Sequence, residues 1–260
     1  MPRLSFPDQI GNTIFLPRLP QRIVSLVPSQ TELLADLGLD NEVAGITKFC
    51  IHPEAWRLRK TIVGGTKNFN HQTIDHLNPD LIIGNKEENY KEGIEMLREK
   101  YPVWMSDIVS LADALDMIQS IGLITNKASE AHNIRDAIIR GFGRCRKYNP
   151  QSVLYLIWKQ PWMGVGNGTF IHSMLHHIGL RNVLESTARY PSLTENDIRD
   201  LKPQYIFLSS EPYPFKAQHA IELQRICSES KVMLVDGEMF SWYGSRLIKA
   251  PDYFNMLALD

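Results

Sequence analysis

Cys50 and His52 stand two residues apart in the stretch TKFCIHP. A thiolate beside an imidazole suits zinc or another soft metal. Two ligands do not complete a site, so a third is expected from His172 or Glu238, unless Cys50 is a structural cysteine beside a proline-terminated turn. His172 and His176 have the i, i+4 spacing that clamps a metal from one helix face, without the glutamate of H-E-x-x-H. GVGNGTF, Gly164 to Phe170, is shaped like a phosphate loop but lacks its lysine and its last glycine. Thr169 is expected to cap a helix there, whose N-terminus suits an anionic group. Lys67 in VGGTKN and Arg246 in SWYGSR suit carboxylates, phosphates or an anionic chelate. Arg246 has a scaffold alternative, pairing with Asp236 or Glu238. Glu87 and Glu88 either open a helix, where acidic residues suit the dipole, or face a ligand. With no G-x-S-x-G and no credible Ser-His-Asp order, these residues point to binding rather than hydrolysis.

The elements that must position them repeat. RIVSLVPSQTELLADLGL reads as a strand, Ile23–Val27, then a helix capped by Thr31 and ended by Gly38. TIDHLNPDLIIGN and DIRDLKPQYIFLSS each give a short helix, Leu-x-Pro, and an apolar strand. PVWMSDI is answered by KVMLVDG, and the members of each pair lie about half the chain apart. The fold class is α/β: two Rossmann-like lobes, each with a central sheet. Between them, Asn126 to Pro150 holds no proline before its end, and Ala131, Ile134, Ile138 and Phe142 recur at helical spacing. One long rigid helix, roughly 33 Å at ~1.5 Å per residue, is expected to brace the lobes. The expected division is 1–124, a connecting helix 125–150, and 151–260. Ligands of such sheets sit outside the carboxyl ends of the strands, in a cleft where loops from both lobes meet. Trp162, Tyr213, Trp242 and Tyr243 fall in those loops and suit a bulky, partly polar ligand.

A net charge of −1 offers no field for nucleic acid. No apolar run is long enough to span a membrane. Three widely spaced cysteines form no C-x-x-C pair or disulfide framework. No secretory h-region precedes Ile23, which places the chain in the cytoplasm as written, or in the periplasm if a leader has been removed.

RIVSLVPSQTELLADLGL, VGGTKN, L-x-PDLII and the connecting helix resemble the cobalamin- and ferric-siderophore-binding proteins of ABC importers, the periplasmic-binding class with a helical backbone. The resemblance covers roughly residues 20–258. It implies two lobes, one connecting helix, a bound metal chelate and no catalysis. No cofactor of its own is required, and any metal arrives within a ferric siderophore, haem or corrinoid. The ligand residues implied are Pro28, Ser29, Phe49, Lys67, Asn68, Asn85, Glu87, Trp162, His172, Tyr190, Trp242, Tyr243 and Arg246. Lys67 and Asn85 replace tryptophans of the cobalamin binders, so the pocket differs from theirs. Gln72 and Asn196 stand where importer-docking members carry glutamates, with Glu195 adjacent. Each neutral residue removes an ion pair with an ABC permease. Two competing readings remain: a cytoplasmic metal-dependent or metal-handling protein using Cys50 and His52, and a relative that docks a partner protein alone.

Overall fold

The computed structural model describes residues 4–259. These divide into two compact units, one of residues 4–108, 112–140 and 243–248, the other of 109–111, 141–242 and 249–259.

In the first unit, β1 (Leu4–Pro7) and β2 (Thr13–Leu16) form a hairpin, fastened where Trp104 Nε1 donates to the Pro7 carbonyl at 2.9 Å. Then follow β3 (Ile23–Ser25), α1 (Pro28–Asp36), β4 (Val43–Ile46), α2 (Glu54–Arg59), β5 (Thr61–Ile62), and a small hairpin, β6 (Gly64–Gly65) and β7 (Asn68–Phe69). The unit continues through α3 (His71–Leu77), β8 (Leu81–Asn85), α4 (Lys91–Arg98), β9 (Val103–Ser106), α5 (Leu111–Ile124) and α6 (Ala128–Gly143). Its parallel sheet has the order β5-β4-β3-β8-β9, so every carboxyl end lies along one edge. Val24, Ile82 and Val103 pack with Ile74, Ile94 and Leu97 of the helices to form a core on one face.

The second unit holds β10 (Ser152–Trp158), β11 (Trp162–Gly164), α7 (Phe170–His177), β12 (Arg181–Asn182), β13 (Ser192–Leu193) and α8 (Glu195–Leu201). It ends with β14 (Tyr205–Ser209), α9 (Ala217–Ile226), β15 (Lys231–Val235), α10 (Gly237–Ser241) and α11 (Ala250–Asn255). The sheet runs β13-β11-β10-β14-β15, with β12 beside β10; β10, β12, β14 and β15 are parallel, β11 pairs antiparallel with β10, and β13 pairs antiparallel with β11.

The repeat is visible in detail. α3 ends in a left-handed residue, Asn78 at φ 44°, and α8 in another, Lys202 at φ 42°. Each stands directly before a proline, which offers no N–H to continue the helix. Side chains cap both helices: Asn70 accepts from Thr73 N, and Thr194 from Asp197 N. Gln72 and Asn196 are both the second residue of these helices, and both are exposed.

Three expectations change. α1 starts at Pro28, whose fixed φ suits the first helical position, and Thr31 is no cap. Its hydroxyl lies inside, 2.9 Å from the Val27 carbonyl and 2.7 Å from Ser25 Oγ. The connecting helix is α6 alone, with 16 residues. Its length is about 24 Å at the usual helical rise. Asn126, at φ 59°, breaks the chain before it, and residues 144–150 are not helical. The division into units falls inside α6, after Arg140, and Tyr243–Ile248 joins the first unit rather than the second.

Candidate functional site

On the first unit, the loops at the carboxyl ends of β3 and β8 and the β6–β7 hairpin are tied together by Asn89, which is buried, and the β4 loop joins the hairpin where Lys48 N donates to the Gly64 carbonyl. Asn89 Nδ2 donates to the carbonyls of Leu26 at 3.3 Å and Thr66 at 3.0 Å, and its Oδ1 accepts from Asn85 N at 2.9 Å. Asn85 is fully committed beneath this surface. Its Nδ2 donates to Ser106 Oγ at 2.9 Å, and its Oδ1 accepts from Glu87 N and Glu88 N at 2.8 and 3.0 Å. Asn85 therefore shapes the loop instead of touching ligand. Glu87 and Glu88 lie in its turn rather than in a helix, since α4 starts at Lys91. Above them, Phe49 is 50% exposed with Lys48 Nζ 5.1 Å from its ring centroid, within cation–π range. Lys67 and Asn68 are exposed on the neighbouring hairpin, and Lys67 Nζ donates to the Glu87 carbonyl. Gly65 makes this closeness feasible: a Cβ there would sit 2.4 Å from Asn68 Oδ1 and 3.2 Å from the Phe49 ring.

Cys50 has no exposed surface; its sulfur lies 3.1 Å from Thr31 Oγ1 and 3.2 Å from Thr47 Oγ1. Burial pushes its thiol pKa up, against the hydroxyl hydrogen bonds, which disfavours the thiolate a metal needs. The Cys50–His52 pair is thus not built as a ligand pair. Among the described residues, no three His, Cys, Asp or Glu side chains are grouped to hold a metal.

Arg246 is committed as well. Its Nε donates to Glu32 Oε2 at 2.8 Å and its Nη2 to Glu32 Oε1 at 2.7 Å. This is a buried bidentate pair, the strong geometry for a guanidinium and a carboxylate, and it links residues 214 apart in sequence. Glu32 is a partner that sequence reasoning does not offer. Gly244 lets this segment lie on α1, because a Cβ would meet the Ser29 carbonyl oxygen at 2.3 Å. Ser29 and Tyr243 are buried here, and Pro28 is partly exposed.

The second unit's aromatics are mostly interior. Trp162 stacks on Phe215 (6.1 Å between centroids, 5° between planes) with Lys159 Nζ 5.1 Å from its ring, in the core of Leu154, Leu184 and Ile198. It packs rather than faces ligand. Trp242 is only 6% exposed, and its Nε1 donates to Glu211 Oε1 at 2.8 Å; Ser241 Oγ donates to the same oxygen at 2.6 Å. Burial raises the Glu211 pKa despite these donors, and the nearby Glu238 and Asp236 charges add to the rise. Trp158, at the end of β10, stays 39% exposed and meets Tyr213 edge-on at 5.6 Å. Tyr190 is half-buried with the Arg189 guanidinium 5.8 Å from its ring, and Arg189 Nη1 donates to the Gly168 carbonyl at 2.7 Å.

Thr169 caps α7 as expected, accepting from His172 N at 3.2 Å. Asn182 fixes the His172 ring. Asn182 Oδ1 accepts from Leu184 N, and its Nδ2 donates to the Val165 carbonyl, so the amide cannot flip. The same Nδ2 lies 3.1 Å from His172 Nδ1. That ring nitrogen is therefore the acceptor and the proton sits on Nε2. Burial, then His176, lower the His172 pKa. The lone pair of Nδ1 is engaged by Asn182 and is not open to a metal.

Glu32, Lys48, Asn89, Trp158 and Glu211 hold or border the candidate surfaces and are not singled out by sequence reasoning. Only Trp158 carries a local signal, as an aromatic closing an apolar strand.

The chain belongs to the periplasmic binding protein family, whose model matches residues 23–227. It is 24% identical to an uncharacterised ABC transporter substrate-binding lipoprotein of Bacillus subtilis strain 168, covering 95% of this chain and 82% of that one. It is 23% identical to a vitamin B12-binding protein of Pectobacterium carotovorum, covering 89% of this chain and 86% of the relative. Among solved structures, a periplasmic haem-binding protein of Vibrio cholerae superposes with a TM-score of 0.78 at 18% identity, covering 92% of this chain and 99% of the other.

Proposed function

We propose that this member of the periplasmic binding protein family is the substrate-binding component of an ABC-type uptake system, and that its substrate is a bulky metal-bearing molecule: a corrinoid, haem or ferric siderophore. The vitamin B12- and haem-binding relatives support the ligand class, and the substrate-binding lipoprotein supports the transport role. The observation that carries the reading is the first unit's loop surface. A half-exposed aromatic ring, Phe49, stands with Lys48 and Lys67 at the carboxyl ends of a parallel sheet. The ring offers a flat apolar contact, and the lysines suit the carboxylates or oxyanions of such molecules. The metal belongs to the cargo; the chain binds and releases it without catalysis. Of the two locations expected, the periplasmic one accords with the relatives' names. Gln72 and Asn196 would meet the permease through neutral contacts.

Titration of the purified chain with haem, cobalamin and ferric hydroxamate and catecholate chelates, followed by tryptophan fluorescence, tests this. Micromolar or tighter binding of one class is expected. Failure of every class to bind overturns the proposal.

A further inference from the structure

A groove of about 490 Å³ opens in the second unit at the carboxyl ends of β14 and β15, lined by Leu208, Ser210, Phe215, Leu234, Val235 and Asp236. Strand alternation arranges it. Leu208 and Leu234 are register partners, and Ser210 and Asp236 follow them two residues later on the same face. The floor is therefore aliphatic and the rim polar, while Phe215 adds an aromatic wall. Among the described residues β15 ends the sheet, so Leu234 has no strand beyond it and stays 49% exposed, whereas Leu208 is fully buried.

The rim is negative. Asp236 Oδ1 accepts from Glu238 N at 3.0 Å, and Ser210 Oγ accepts from Gly237 N at 2.9 Å. Each side chain keeps further lone pairs. Neither Asp236 nor Glu211 has a lysine or arginine partner among the described residues.

We propose that this groove is a binding site for an amphipathic cation, a primary ammonium carried on an apolar body. The body lies on the exposed Leu234 side chain, backed by Leu208 and Phe215, and the ammonium donates to Asp236 and Ser210. The volume suits a small molecule rather than a polypeptide. Such an ammonium exists as a free amine or as the arm of a larger chelate, and the two sources are separable. The site is independent of the proposed function.

The test is amide-shift NMR on the full chain at neutral pH with n-hexylammonium, 1-hexanol and hexanoate. Hexylammonium should shift Ser210, Val235 and Gly237 with a Kd at least tenfold below that of hexanol, and hexanoate should not bind. Asp236→Asn keeps the helix cap, since Asn caps as well as Asp; it should erase the tenfold preference and leave hexanol unchanged. Leu234→Ser, at a half-exposed position, should weaken the amine and the alcohol alike. Equal affinity for amine and alcohol in the native chain, an unaltered preference in Asp236→Asn, or shifts confined to other residues overturns the site. A ferric trihydroxamate bearing a free ammonium arm, compared with the same chelate N-acetylated, separates the sources: a tenfold preference for the free arm assigns the groove to a chelate, and equal affinities assign it to a free amine. Hexylammonium carries no metal, so its binding stands even where every chelate fails and the proposed function falls.

Discussion

Glu32 of the first unit and Glu211 of the second hold residues only four apart in the chain, Arg246 and Trp242, and they hold them by different means. Glu32 meets a guanidinium on both carboxylate oxygens, so two desolvated charges cancel. Glu211 receives a hydroxyl and an indole N–H on a single oxygen and faces the like charges of Asp236 and Glu238. The first arrangement fixes a chain segment through a pair that is costly to break. The second orients a ring while keeping a carboxylate whose charge is adjustable. The two units are built on the same α/β plan, yet they use a buried glutamate in opposite ways: one as a fastening, the other as a source of negative field.

Removing half of the fastening should have the largest effect. Glu32→Ala leaves the Arg246 guanidinium buried without its carboxylate, and should lower unfolding free energy by about 3–5 kcal/mol in urea titrations. The double variant Glu32→Leu, Arg246→Met should recover most of that loss. If Glu32→Ala costs no more than Glu211→Ala, the contrast between the two glutamates collapses. Next comes Gly244→Ala, whose Cβ would lie 2.3 Å from the Ser29 carbonyl oxygen. Displacing that segment from α1 should cost about 1–3 kcal/mol, and additivity with Glu32→Ala measures how far the ion pair and the close approach act together.

The Glu211 arm is smaller and depends on pH. Its folded pKa is raised, so the folded protein holds this proton more tightly than the unfolded chain does. The contribution is favourable at low pH and is lost as pH rises through the folded pKa. Glu211→Gln keeps an oxygen for Trp242 and discards the charge. It should therefore equal or exceed native stability at neutral pH, by up to about 1 kcal/mol, and lose that margin on acidification. Glu211→Ala should instead cost about 1–2 kcal/mol by leaving the indole N–H without this acceptor. His172 and His177 of the same unit have the opposite sign: burial lowers their pKa values, so their stabilising effect is present above the ordinary histidine range and lost as pH falls. A His172→Gln background sharpens the comparison by removing one of these competing acid transitions.

How far sequence carries differs between the fold and the site. The repeat is legible because it is written locally: Leu-x-Pro after a short helix forces the same left-handed stop at Asn78 and Lys202, whatever surrounds them. Sequence overextends the connecting helix because no proline interrupts residues 126–149, whereas a left-handed Asn126 and the glycines at 141 and 143 set its actual bounds. The site is harder. Loop position picks out Trp162, Trp242, Asn85 and Arg246, but position says nothing of burial, and all four are occupied by other protein groups. The Glu32–Arg246 pair spans 214 residues and has no local signature. Phe49, Lys67 and Asn68 remain exposed, and Gly65 of the stretch VGGTKN lets Phe49 and Asn68 approach one another closely.

Phe49 gives the smallest effect on folding and the sharpest test of what the first unit's surface is for. At 50% exposure its ring contributes little to the core, so Phe49→Ala should change unfolding free energy by no more than about 0.5 kcal/mol. If the ring covers a chelate face, the same substitution should weaken ligand binding roughly tenfold, the equivalent of about 1.4 kcal/mol. Lys67→Ala should weaken anionic chelates more than neutral ones and lose that difference as salt screens the charge. Glu32→Ala, by contrast, should alter stability first and affinity only as the fold loosens. Unchanged affinity in Phe49→Ala, alongside unchanged stability, would remove the exposed ring from the binding surface and leave the first unit's loops with no contact of their own to a flat ligand.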